Sequence, residues 1–346
     1  MEKKPKKTNH STQQTSQQEI MSFLACITNY IENEQLIPKN ATIVLGLSGG
    51  PDSVFLLSVL LELKKEGRIK ELIVAHLDHE WRSNSANDVA FCKALAQSHS
   101  LPFETAKMSD LKINLKWDGS KEQIARTARR FFLESIAKKY SADAIALGQH
   151  AQDQQETFFI RLLRGTSLSG LCGIWPKRGI YIRPLLHTYK SEIHAYFERN
   201  DIAYLEDPSN QEQSFLRNRI RAHVIPALKQ ADDRFDRSFE QTIARLQQTE
   251  QYLDQHAKAL LNEMSETHDG IHSINVEKLL AHPPIMQSRL IILWLTQENV
   301  QFPVTQTFID ELLRFLSSPR GGTHDIHEAW TVKKEKNKAH IEKKNS

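Results

Sequence analysis

Between Gln18 and Leu36 the apolar positions Ile20, Phe23, Leu24, Ile27, Tyr30 and Ile31 recur at spacings of three and four, which predicts a helix. The period then changes. Ala41-Thr-Ile-Val-Leu-Gly-Leu47 is a continuous apolar run rich in β-branched residues and closed by Ser-Gly-Gly, the pattern of a buried strand ending in a tight loop. A helix is expected after Pro51, a strand from Leu72 to Leu77, a helix near Asn84 to Ser98 and a short strand near Pro102. A long helix from Ser120 to Lys139 and a strand from Ala144 to Leu147 follow. Apolar strands spaced by helix-length segments predict an α/β fold: a parallel sheet covered by helices on both faces. In such sheets ligands bind at the carboxyl ends of the strands.

Beyond the turn-rich stretch Glu206-Asp-Pro-Ser-Asn210, helical patterns run with breaks from about Phe215 to Met264, then from Met286 to Thr296 and from Thr305 to Leu316. Thr323 to Glu342 reads as a hairpin turning near Lys336-Asn337. The expected organisation is a disordered basic arm over 1–17, a catalytic α/β domain over 18–215, and a mainly helical domain with a small terminal hairpin over 216–346.

Composition fits two globular domains: 346 residues, 40% hydrophobic and 25% charged. Stretches such as Val54 to Leu63 are broken by polar residues well short of a membrane span, and the charged amino terminus has no apolar core behind it, so a cytoplasmic protein is expected. Cys26, Cys92 and Cys172 are widely spaced and odd in number, which argues against a disulfide framework or a thiolate metal site. The formal charge of +3 is uneven: residues 1–20 carry +2 and residues 331–346 carry +4, leaving the body at −3. A nucleic-acid ligand would therefore need local basic patches as well as the tails.

The chemistry concentrates in three loops. Leu47-Ser-Gly-Gly-Pro-Asp-Ser53 lies between a buried strand and a helix, where backbone N–H groups and the helix's positive end favour an anion. Gly49 and Gly50 allow close approach of a phosphate, Pro51 suits the first helical turn, Ser48 and Ser53 offer hydroxyls, and Asp52 suits Mg²⁺. The plainer alternative is a glycine turn with a helix cap. The loop lacks the Gly-Lys-Ser/Thr ending that grips β and γ phosphates, so γ-phosphate transfer is not implied.

The second loop is His76-Leu-Asp-His-Glu-Trp-Arg82; its spacing and single-strand origin argue against a metal site, and taken alone it reads as a solvated loop. In Gly148-Gln-His-Ala-Gln-Asp-Gln-Gln-Glu-Thr157, Asp153 and Glu156 are three apart near a helix start. They could jointly hold Mg²⁺ or an ammonium group, or simply cap the helix.

Ser48-Gly-Gly-Pro-Asp-Ser53 resembles the SGGxDS signature of the PP-loop ATP pyrophosphatases, which cleave ATP between the α and β phosphates and pass AMP to an acceptor. The remaining motifs resemble the tRNA(Ile)-lysidine synthases of that superfamily. They are the His76 to Arg82 stretch, Ala125-Arg-Thr-Ala-Arg129, and His150, Asp153, Glu156 and Thr157 with the run Arg161, Arg164, Gly165, Gly170 and Leu171. Arg183-Pro-Leu-Leu186, Asp207-Pro-Ser-Asn210 and Arg217-Asn-Arg-Ile-Arg221 complete the likeness, which thins beyond residue 230. Gln149 and Gln152 depart from it, standing where the family has His and Asp.

The resemblance implies ATP-dependent attachment of free L-lysine to C2 of the anticodon's first cytidine in a tRNA(Ile) with a CAU anticodon. It assigns Ser48, Gly49, Gly50, Pro51, Asp52, Ser53, His76 and Arg82 to ATP, and Asp52 and Asp153 to Mg²⁺. It makes Asp52, Asp153, Glu156, Arg126 and Arg217 the catalytic set. Arg161, Arg164, Arg217, Arg219, Arg221 and Lys229 become candidate contacts to the tRNA backbone. A homodimer is left open. The rivals are another PP-loop tRNA-modifying enzyme and, because of Gln149 and Gln152, an RNA-binding protein with a decayed ATP site.

Overall fold

The computed structural model describes residues 10–81, 85–111, 121–206, 216–268, 271–300, 302 and 305–344, apart from the side chains of 10–20, 121 and 122. The chain divides into two compact units, Met1–Glu240 and Gln241–Ser346.

The first unit opens with α1 (His10–Asn33), which starts ahead of the expected Gln18, so its first turns overlap the segment read as a disordered arm. Then come β1 (Ala41–Gly46), α2 (Pro51–Lys65), β2 (Ile69–Asp78), α3 (Ser85–Ser98), β3 (Phe103–Lys107), α4 (Lys121–Lys139), β4 (Ala144–Ala146) and α5 (Ala151–Leu163). Short elements follow: α6 (Leu168–Leu171), β5 (Lys177–Arg178) and β6 (Tyr181–Ile182), then α7 (Lys190–Asn200). The unit closes with α8 (Leu216–Arg219), a π-helical turn over Ile220–Val224, α9 (Ile225–Ala231) and the start of α10 (Phe235–Met264). Asp207-Pro-Ser-Asn210 lies outside the described residues.

The sheet order is β3-β2-β1-β4-β6-β5, parallel except for the β5–β6 edge. Alternate side chains of one strand enter opposite cores, because a strand's side chains point to opposite faces in turn. Ile43 and Leu45 join Phe55, Leu56, Leu60 and Phe197 on one face. Val44 joins Ile73, Ala128, Phe132 and Ile145 on the other. Burial on both faces is why these strands read as unbroken apolar runs.

The chain adds β2 and β3 on one side of β1, then returns to place β4 on the other. The connections after β1 and β4 therefore leave in opposite directions and open a crevice at the carboxyl edge, the usual ligand position in such sheets.

The second unit contains the rest of α10, then β7 (Ser265–His268), β8 (Ile271–Asn275), α11 (Val276–Leu280), α12 (Pro284–Gln297) and α13 (Gln306–Ser317). Three strands end it: β9 (Gly322–His327), β10 (Trp330–Glu335) and β11 (Lys338–Lys343). The expected hairpin is β10–β11, and Lys336 in its turn adopts a positive φ of 52°. It belongs to a five-stranded sheet of order β7-β8-β11-β10-β9, larger than the small hairpin expected. The core joins Leu261, Leu279, Leu290, Trp294, Leu312 and Leu316 to Ile274 and Val332.

Candidate active site

The loop after β1 is shaped by its own serines. Ser53, buried at the start of α2, accepts the Ser48 N–H at 3.1 Å and donates to the Gly50 carbonyl at 2.9 Å. Its hydroxyl proton is thus spent on the loop, while Ser48 is exposed. Gly49 has φ +84°, a conformation that favours glycine, and a β-carbon there would also push aside the Leu205 side chain, whose Cδ1 would lie 2.7 Å away. Gly50 differs: a β-carbon would meet only ordinary contacts, the nearest 3.6 Å away at Ser48 Oγ, so no protein atom demands glycine there. Gly50 caps α2 without any side-chain hydrogen bond, and Pro51 fills the first turn.

His76 supports this loop from below. It is buried, and its Nδ1–H donates to the Leu47 carbonyl at 2.8 Å; burial holds its pKa below the usual value, so the ring is neutral at neutral pH. Its place is beneath the loop. Arg82 lies outside the described residues.

The loop after β4 meets α2 closely. A β-carbon on Gly148 would lie 2.9 Å from the Asp52 carbonyl oxygen and 3.1 Å from the Ser53 nitrogen. Only glycine lets these two backbones approach. Next in the chain, His150 is 3% exposed and stands between two carboxylates, 3.5 Å from Asp52 Oδ2 and 3.6 Å from Asp153 Oδ2. Asp153, the third residue of α5, also accepts the His150 backbone N–H at 3.0 Å. Burial disfavours the imidazolium, but Asp153 and Asp52 outweigh it and the His150 pKa rises. Burial likewise raises Asp52, yet its bond to His150 prevails and its pKa falls.

Asp52 Oδ1 is buried without a hydrogen-bond partner. Such an oxygen is a fit donor for a hard cation, since Mg²⁺ is commonly held by one or two carboxylates together with ligand phosphates. Among the described residues no group of three or more His, Cys, Asp and Glu side chains could cage a metal alone. Asp52 and Asp153, which both face His150, could hold Mg²⁺ alongside a nucleotide.

Glu156 is in a different position from Asp153. It is 0% exposed, accepts Arg221 Nε–H at 2.6 Å, and has Arg217 Nε 3.5 Å from its other oxygen. Burial pushes its pKa up while Arg221 pulls it down; the net shift is upward. The Asp153 side chain keeps 21% exposure, so of the two it is the carboxylate open to a ligand. Arg126 lies exposed on α4, where its charge acts on Arg129, Arg161 and Arg183.

The two departures from the family pattern have partners of their own. Gln149 Oε1 accepts Arg183 Nε–H at 2.6 Å, and Gln152 Oε1 accepts the Lys190 N–H at the start of α7 at 3.0 Å. Several candidate RNA contacts are likewise engaged inside the fold. Arg161 donates to the Gly170 and Gly173 carbonyls at 2.7 and 2.9 Å, and Lys229 pairs with Asp236 at 2.7 Å. Arg164 is exposed.

The structure brings His150 and Gly148 into the site, and it turns Arg221, expected as a contact to RNA, onto Glu156. His150 and Gly148 were signalled by a Gly-x-His directly after a buried strand. Nothing local signalled that Arg221 would reach Glu156.

The chain resembles curated tRNA(Ile)-lysidine synthases. It is 32% identical over 303 residues to that of Bacillus cereus, covering 85% of this chain and 63% of the relative. It is 35% identical over 296 residues to that of Bacillus subtilis, covering 83% and 62%. It therefore spans less than two thirds of these relatives' length. Among solved structures, the U34-tRNA thiolase NcsA from Methanococcus maripaludis, with its 4Fe-4S cluster, aligns with a TM-score of 0.53 at 19% identity. That alignment covers 64% of this chain and 80% of the thiolase, and the likeness is one of fold. The family model described as the PP-loop domain matches residues 14–228, which take in the glycine loop, the whole parallel sheet and the Asp52–His150–Asp153 crevice, and the chain belongs to the PP-loop family.

Proposed function

We propose that this protein cleaves ATP to AMP and pyrophosphate and uses the AMP to activate C2 of the first anticodon cytidine of a CAU-anticodon tRNA(Ile), which free lysine then attacks to form lysidine. The observation that carries this reading is the convergence of Asp52 and Asp153 on His150 at the crevice beside the Ser48–Ser53 loop. Similarity to the curated lysidine synthases supplies the acceptor.

The cytosine C2 oxygen is a poor leaving group, so it must be activated before an amine can replace it. The uncapped start of α2 and the Gly49–Gly50 backbone offer N–H groups to the phosphates, where charge grows as the α–β bond breaks. Asp52 and Asp153 would hold Mg²⁺, which when bound offsets charge on the pyrophosphate. Lysine must attack as a neutral amine and so lose a proton; Asp153, 21% exposed where Glu156 is buried, is the better candidate of the two to orient that amine if Asp52 alone holds the metal. Glu156, clasped by Arg221, sets the position of α5. Arg126 remains free of an ion pair among the described residues and suits a phosphate of ATP or RNA.

The test is incubation of the chain with ATP, Mg²⁺, labelled lysine and a CAU-anticodon tRNA. Label in the RNA, with AMP and pyrophosphate formed in equal amounts, is expected. Formation of ADP would refute α–β cleavage, and RNA binding without pyrophosphate release would leave a binding protein with an inactive ATP site.

A further inference from the structure

The segment that follows β2 carries Trp81, an indole 56% exposed at the same sheet edge as the Ser48–Ser53 loop. Exposure alone would say little, since Phe131 and Tyr252 are exposed too; the surroundings of this ring are what distinguish it. Here one side of the ring is braced: His79 packs against it with centroids 5.2 Å apart and an interplanar angle of 33°. His79 Nε2 in turn lies 3.1 Å from Arg129 Nη2. A guanidinium only donates, so Nε2 must accept and His79 is the neutral tautomer carrying its proton on Nδ1.

The acidic neighbours are occupied elsewhere. Asp78 is buried and accepts the Glu80 N–H at 2.8 Å and the Ser85 hydroxyl at 3.2 Å. Glu80 accepts the Ser109 N–H at 3.0 Å. Arg126 and Arg129, one turn apart on α4, have no ion-pair partner among the described residues and repel each other electrostatically. An exposed indole braced by His79, which Arg129 in turn holds, with Arg126 one helical turn from Arg129, matches a base attached to a polyanionic backbone.

We propose that Trp81 is a stacking platform for a nucleobase of the RNA substrate, with Arg126 and Arg129 holding the adjoining phosphates. This rests on the reading of the protein as an RNA-modifying enzyme. The adenine of ATP is the competing occupant, and separate KM values for RNA and for ATP distinguish the two.

The test uses the full chain as wild type, Trp81→Phe and Trp81→Ala, with a CAU anticodon stem-loop RNA as probe. Intrinsic fluorescence and pyrophosphate release are measured against RNA and ATP concentration. RNA should quench wild-type fluorescence, and Trp81→Phe should lose that quench while keeping the KM for RNA within about twofold, since phenylalanine still stacks. Trp81→Ala should raise the KM for RNA about tenfold, with kcat and the KM for ATP unchanged. An unchanged KM for RNA in Trp81→Ala, a rise confined to ATP, or a quench that survives Trp81→Phe would overturn the platform. If the wild type releases no pyrophosphate, the enzymatic reading fails separately, and dissociation constants for the same RNA decide the role of Trp81.

Discussion

Arg221 donates its Nε–H to Glu156 Oε1 at 2.6 Å and so makes a completely buried carboxylate tenable within α5. It does so from a π-helical turn, where the extra residue re-aims the side chain. Removing one partner of a buried pair strands the other charge, which costs about 3–5 kcal/mol. Because the Arg221 side chain is 37% exposed and Arg217 still faces Glu156, Arg221→Ala should lower the unfolding free energy by less than that, about 1–2 kcal/mol in urea titration, and the double variant Glu156→Gln with Arg221→Met should recover most of it. A wild-type midpoint in the single variant would show that the pair contributes little.

Gly148 and Gly50 should respond differently to alanine. At Gly148 the new methyl meets the backbone of Asp52 and Ser53, so α2 must move, at a cost of about 1–3 kcal/mol together with a loss of ATP affinity above about tenfold. At Gly50, with φ −71° and only ordinary contacts for a methyl, stability should stay within about 0.5 kcal/mol. Loss of ATP binding in that variant alone, read by calorimetry, would locate the phosphates over Gly50; full retention would move them elsewhere.

Asp52→Asn preserves shape but removes the charge from the buried oxygen that lacks a partner. RNA-dependent pyrophosphate release should fall by at least about a hundredfold. Persistent release at the wild-type rate would remove Asp52 from the chemistry.

His79 gives a pH dependence of known sign. Burial, reinforced by Arg129, pushes its pKa down to about 4, whereas an unfolded histidine titrates near 6.5. Below about pH 6.5 the unfolded chain takes up a proton that the folded one refuses, so stability is lost as pH falls toward about 4 and is unaffected above that window. The difference in urea stability between wild type and His79→Gln should shift in the variant's favour between about pH 7 and about pH 4.5. A difference that stays constant over that range would mean His79 is not kept neutral.

The sequence by itself determined the alternation of buried strands and helices, the glycine loop after β1, and the hairpin at Lys336, because each rests on local patterning or on a backbone conformation that few residues accept. Strands β7 and β8 escaped it: Ser265–His268 and Ile271–Asn275 are mostly polar with one buried position between them, Ile274, and β8 pairs with the distant β11. Position 53 offered a free hydroxyl on paper, yet the fold spends it within the loop.

Only the tertiary structure decided which carboxylates belong together. Asp52 and Asp153 meet because the sheet order reverses at β1 and β4, and Glu156 is withdrawn because Arg221, sixty-five positions later, folds back onto it. Such distant pairings depend on how the chain crosses over, which no local pattern encodes; the residues that only shape their own turn could be read directly.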